Sequence, residues 1–139
     1  MLIGRISDDR GAAFNKLVFD IINDFNAFKI YPNVKKVNGK KISQENGNDL
    51  GDIDILIIDD VNSTIIASEV KDFHFSRNPY EIQQEYIKMF VDKEKELCFA
   101  SKHQRRVQWL INHVADIREE YALDDRDWKI KGIFIVSEP

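Results

Sequence analysis

The sequence predicts a single α/β domain, residues 1–139, with a mixed central sheet flanked by helices. Three observations carry this. The chain has 139 residues, one domain's length at ~100–200 residues per domain. Hydrophobic residues make up 43% and aromatics 11%, enough to build a core, which excludes a disordered tail or low-complexity linker. The apolar periodicity then switches along the chain in the order α-β-β-β-α-α-β. Tight turns make neighbouring strands antiparallel. A helical connection before the last strand suits a right-handed parallel crossover, so the sheet is mixed and takes helices on its faces.

The first helix rests on Phe14, Leu17, Val18, Ile21, Ile22 and Phe25, spaced by threes and fours. Ser7 is the expected N-cap, with Asp8 and Asp9 in the first turn. Residues 28–37 read as an irregular strand interrupted by Pro32-Asn33, at an edge or a bend. Asn38-Gly39 is a turn signal and residues 43–51 a polar loop. Residues 52–59 run Asp-Ile-Asp-Ile-Leu-Ile-Ile-Asp, a short buried strand. A turn at 60–63 joins it to a second strand, 64–71, as a hairpin. Asn78-Pro79-Tyr80-Glu81 reads as a capped helix start, with Ile82, Tyr86, Met89, Phe90 and Lys93 on one face. Leu97 to Ala100 reads as a break. Ser101 and Gln104 form a second capping box, opening a helix through Val107, Leu110, Ile111, Val114, Ile117 and Tyr121. Asp124 to Asp127 is a charged turn, and 128–137 the last strand.

Net charge is −4, which excludes a basic coat but not a basic patch. Residues 27–44 hold Lys29, Lys35, Lys36, Lys40 and Lys41 and no acid, so this window is +5 and the remainder −9. Such segregation suits an anionic partner on one face; a solvated loop with chance lysines is the bland alternative. The single Cys98 forms no internal disulfide, and no Cys/His set has zinc spacing. No apolar run nears the ~18 residues that span a bilayer, and no signal-peptide pattern is visible. The expectation is a cytoplasmic protein with no membrane partner.

The anomaly lies on the hairpin. Side chains alternate faces along a strand. Asp52, Asp54, Leu56 and Ile58 share one face of the first strand, and Glu69 and Lys71 share one face of the second. The hairpin can therefore gather Asp54, Glu69 and Lys71 at one end of the sheet. Carboxylates among apolar residues are costly unless they pair or hold a cation. Asp54 and Glu69, with the Val70 carbonyl, make an oxygen set that suits Mg²⁺. Lys71 could then orient or deprotonate an attacking water, or offset transition-state charge. An ordinary strand-end ion pair explains the same residues, and spacing alone leaves both readings open.

Gly51-Asp52-Ile53-Asp54 followed by Ser68-Glu69-Val70-Lys71 resembles the PD-(D/E)xK nuclease superfamily, in its resolvase-like and RecB-like branch. The resemblance covers nearly the whole chain. It implies a restriction-endonuclease-like α-β-β-β-α-β core and a Mg²⁺-dependent nuclease acting on DNA, with Mn²⁺ as a substitute cation. It implies Asp54 and Glu69 as metal ligands, Lys71 as the catalytic lysine, and Asp52 as a helper at best. Many relatives carry a Glu on the first helix where this chain has Asn15. That departure weakens a second metal site and favours a catalytically inactive, nuclease-like DNA-binding module as the alternative. Relatives also often carry a Gln on the helix after E-x-K; Gln83, which borders the expected apolar face, fits better than Gln84.

For nucleic-acid contact the candidates are Lys35, Lys36, Lys40 and Lys41 in the loop, Arg77 after the motif strand, and Lys102, Arg105 and Arg106. The last three, with His103, cluster at the expected helix start, where a phosphate would offset their conflict with the helix dipole. Pairing with nearby acids is an equal explanation. Trp109 lies off the main apolar stripe and could stack on a base, though partial burial is commoner. A protein-interaction domain with incidental acids is a third reading. A homodimer, or a catalytic domain cut from a larger protein, stays open.

Overall fold

The structure, a computed structural model, describes residues 2–44, 46–72, 78–93 and 97–137, with side chains from Gly11 onward. Its elements in chain order are α1 (Leu2–Asp24), β1 (Lys29–Val34), β2 (Lys36–Val37), β3 (Lys40–Lys41), β4 (Ile53–Asp59), β5 (Thr64–Lys71), α2 (Pro79–Phe90), α3 (Phe99–Asn112), α4 (Val114–Glu120) and β6 (Lys129–Val136).

Four strands form one mixed sheet in the order β1-β4-β5-β6. The β4–β5 hairpin is antiparallel, with Ile55 opposite Ser68 and Asp59 opposite Thr64. β6 lies parallel to β5, Glu69 beside Phe134, as a crossover through helices requires. β1 closes the other edge, antiparallel to β4, and holds Pro32 where its missing N–H costs no interior ladder bond. Asn33, inside β1, takes a positive φ, and the irregular stretch splits at Lys35 into β1 and β2. The β2–β3 ribbon turns on Asn38-Gly39.

The alternation of β4 and β5 divides the core. Ile55, Ile57 and Val70 pack under α1 with Val18, Phe14 and Ile22. Leu56, Ile58, Ile65 and Ala67 face the other way, onto Trp109 and Leu110 of α3 and Ile117 of α4. The sheet is thus covered on both sides, and α2 packs on α3. Gly132 of β6 permits the close seating of α3, because a Cβ there would come within 2.6 Å of Val107 Cγ2. No helix among the described residues is long and apolar enough to cross a membrane.

Four local expectations are corrected. Ser7 does not cap α1; the helix runs from Leu2, the apolar period continuing back through Ile6, Ile3 and Leu2. Ser101 does not open α3. Cys98 is its N-cap, with Sγ accepting from the Ser101 N–H. Asp92 accepts from both the Cys98 N–H and the Ser101 hydroxyl, which holds Ser101 inside the first turn. The expected inward face of α2 points outward: Ile82, Tyr86 and Phe90 are more than half exposed, and Met89 is the residue that packs. The Asn78 cap itself is as expected, accepting from the Glu81 N–H. The long last helix is two, broken at His113, whose Nδ1 donates to the Trp109 carbonyl.

Candidate functional site

β4 and β5 stop pairing at Ile55–Ser68. One step beyond, the Val70 N–H donates to Asp54 Oδ2 at 2.8 Å instead of to a strand carbonyl. A strand residue's N–H and C=O lie on the same edge, so the Val70 carbonyl also faces the Asp54 side. Extended one step past its last pair, the register sets Glu69 opposite Asp54; Glu69 meets Arg106 of α3, while Asp54 lines a cleft with α1. Burial and the neighbouring Glu69 push the Asp54 carboxyl above its usual range, against the opposing pull of the Val70 N–H, Lys71 and Arg106.

Glu69 is buried. Arg106 Nη1 donates to its Oε2 at 2.7 Å, and Lys71 Nζ lies 3.5 Å from its Oε1. Lys71 is also fixed from α3, its ammonium 3.7 Å from the centre of the Phe99 ring. Arg106 Nε donates to the Leu50 carbonyl, and Nη1 also to His103 Nδ1. His103 must then donate from Nε2 to the Ala67 carbonyl at 2.9 Å, which makes it the neutral Nε2–H tautomer. Burial lowers its pKa, and Arg106 lowers it further. Gly51 takes φ +84°, a conformation that side chains rarely adopt, and a Cβ there would make ordinary contact with Arg106 Nη2 at 3.7 Å.

Asn15 of α1 and Asp54 line one cleft of about 360 Å³, with Pro32 and Asn33 at its rim. Asn15 therefore stands on the Asp54 side of the centre. Asp52 lies apart, 3.9 Å from Lys35. Gln83 is exposed and Gln84 half-buried, so the expected preference for Gln83 loses its basis with the expected face of α2.

The basic candidates separate. Lys35, Lys36, Lys40 and Lys41 are all exposed. Lys40 pairs with Asp116 at 3.0 Å and Lys41 with Asp49 at 3.1 Å. Arg106 turns into the core rather than to a partner, and Arg105 donates to Gln44 Oε1 at 2.8 Å. Lys102 is half-buried, and its N–H already donates to the Cys98 carbonyl. With α3 starting at Phe99, these residues sit beyond the free N–H groups of the first turn. Arg77 lies outside the described residues. Trp109 is buried and stacks on His113, ring centres 3.8 Å apart.

Sequence reasoning missed His103, Phe99 and the inward role of Arg106. The signal was there: His103, Arg106 and Leu110, at steps of three and four, continue the buried face of α3. Among the described residues no set of three or more His, Cys, Asp and Glu converges on one point. Asp54, Glu69 and the Val70 carbonyl are hard oxygen donors of the kind Mg²⁺ takes. Burial and then Glu69 raise the Asp54 pKa, and a bound cation would relieve the second of these. Comparison with protein-family models, curated proteins and solved structures finds no significant match.

Proposed function

We propose that the chain is a Mg²⁺-dependent nuclease domain of the PD-(D/E)xK type that hydrolyses DNA phosphodiester bonds. One observation carries the reading: Asp54, Glu69 and Lys71 stand at the open end of one hairpin, with Lys71 Nζ 3.5 Å from Glu69 and Asp54 tied to the same strand through the Val70 N–H. The mixed sheet, entered from a helix and completed by a parallel last strand, supports a restriction-endonuclease-like core. Asp54, Glu69 and the Val70 carbonyl would hold Mg²⁺, which when bound polarises the phosphate and lowers the pKa of water. Lys71 orients the attacking water and offsets the charge that grows on the phosphate. Arg106 positions Glu69 from below and does not touch substrate. The leaving 3′-oxygen takes its proton from solvent.

The test is cleavage of linear, nicked and branched duplexes with Mg²⁺ or Mn²⁺. Asp54→Ala should abolish both cleavage and metal binding. Lys71→Ala should lower the rate by about 10²–10³, the usual cost of one preorganised charge, while metal and DNA binding persist. Lys71→Ala cleaving as fast as wild type would end the catalytic assignment.

A second reading, an inactive nuclease-like module that binds DNA, draws on Asn15, neutral beside Asp54, and on Arg106, which already neutralises Glu69. Wild type that binds DNA without metal and cleaves none of these substrates would select it.

A further inference from the structure

A second cleft, of about 450 Å³, opens where α3 meets the loop after β3. We infer that it is a recognition pocket for one unpaired nucleobase. Arg105, Gln108, Trp109 and Asn112 line it at steps i, i+3, i+4 and i+7 of one helix face, with Gln44 and Leu50 opposite. Trp109 and Leu50, both buried, form an apolar floor. Around it the polar groups are mostly amides, with the Ser43 hydroxyl and the Arg105 guanidinium. Gln108 Nε2 donates to Asn112 Oδ1 at 3.1 Å, and Arg105 occupies Gln44 Oε1. Among the described residues this leaves Gln108 Oε1 as an acceptor and Asn112 Nδ2 and Gln44 Nε2 as donors.

A base edge displays donors and acceptors side by side, and a Gln or Asn amide meets such a pair bidentately. The volume lies in the range of small-ligand sites, and the pattern of an apolar floor with few convergent polar groups is theirs. Among the described residues no carboxylate lines the cleft, and Arg105 does, which favours an attached phosphate. The cleft also adjoins the candidate centre: Leu50 lines it and gives its carbonyl to Arg106, the partner of Glu69. A base held here would sit on a strand passing that centre, so as a strand-recognition device the pocket rests on the nuclease reading. A free nucleotide presents the same chemistry.

The experiment separates the two sources. In EDTA, the whole chain is titrated with single strands carrying one abasic site at successive positions, and separately with nucleoside monophosphates. Gln108→Leu and Asn112→Leu change exposed residues; thermal melts confirm their folding. We expect one abasic position to weaken strand binding about tenfold, within the contribution of a single recognised base, and each variant to weaken it by the same factor only on strands that retain the base. Strands bound with no position dependence, and equally by the variants, would overturn the pocket and leave the nuclease reading standing. Monophosphates bound by wild type and not by the variants, with no strand bound, would uphold base recognition and overturn the pocket as a strand-recognition device; cleavage of duplexes with Mg²⁺ tests the nuclease reading separately. Binding of neither would overturn the pocket.

Discussion

Arg106 Nη1 lies 2.7 Å from Glu69 Oε2, and both side chains are buried. This pair ties α3 to the end of β5. It holds one oxygen of the Glu69 carboxylate, while Lys71 approaches the other. A buried pair is broken at greater cost than it confers, since the partner left behind stays charged in a poor solvent. Arg106→Met should therefore destabilise the fold by about 3–5 kcal/mol, read from urea denaturation. Adding Glu69→Gln should recover much of that loss. A single-variant loss under about 1 kcal/mol would mean that Glu69 relaxes to water, and that Arg106 does not position it.

His103 gives a pH signature. Its folded-state pKa is depressed below the ordinary 6.5 by burial and by Arg106. The unfolded chain then binds the extra proton first, so stability rises with pH. The contribution is full above 6.5 and is lost as pH falls through 6.5 towards the folded value. Wild type minus His103→Gln, followed by thermal melts, should show this slope. A flat difference curve would mean that the ring is not held neutral on the Ala67 carbonyl.

Asp54 has the opposite sign. Its folded-state pKa is raised above 3.8 by burial and by Glu69. Its favourable contribution is present below 3.8 and lost as pH rises through the folded value. Asp54→Asn should therefore gain stability relative to wild type as pH rises through that window, while its amide oxygen keeps the Val70 N–H. Mg²⁺ at neutral pH should raise the melting temperature of wild type and leave Asp54→Asn unmoved. Equal Mg²⁺ shifts in the two proteins would place the cation elsewhere.

The hairpin and its acids are legible in the sequence because strand alternation is strict and a two-strand register has little freedom: β4 and β5 fall at Ile53–Asp59 and Thr64–Lys71, where the pattern puts them. Arg106 is misleading for a physical reason. A cluster of basic residues on a helix looks like a surface patch unless its members are sorted by face, and the buried acid that draws one of them inward lies 37 residues away. The Ser101 cap fails similarly, since Asp92 decides which residue opens α3 through hydrogen bonds that no local pattern reveals. The α2 face shows the limit of periodicity: Ile82, Tyr86 and Phe90 do share a stripe, but an apolar stripe does not say which side of the helix meets the protein.

The lysine loop should act through charge rather than fold. Lys40 and Lys41 already hold surface acids, pairs worth about 0–1 kcal/mol that a phosphate can displace. Replacing Lys35, Lys36, Lys40 and Lys41 with neutral residues should weaken DNA binding and flatten its salt dependence, by about 0.9 in log–log slope for each phosphate no longer neutralised. An unchanged slope, measured by titration across salt concentrations, would show that this loop touches no phosphate.

Asn15 offers the sharpest test of the centre because it asks for a gain. It lines the same cleft as Asp54, so Asn15→Glu would bring a third carboxylate to a centre that has two. Without metal the added charge meets Asp54 and should cost stability. With metal the sign reverses, because the same charge now faces a divalent cation. A pair of unit charges ~4 Å apart interacts by about 4 kcal/mol at an effective dielectric near 20. Asn15 is only half-buried, so solvent screening leaves about 1–2 kcal/mol, or roughly tenfold tighter Mg²⁺ binding. Calorimetric titration with Mg²⁺ and paired thermal melts in EDTA and in Mg²⁺ read both signs. If Asn15→Glu loses stability in EDTA and regains it in Mg²⁺, the cation sits between α1 and the hairpin, as the nuclease reading requires. If it loses stability in both and binds Mg²⁺ no better than wild type, Asn15 is a neighbour of Asp54 and not of a metal. The first-helix position then has no part in the chemistry.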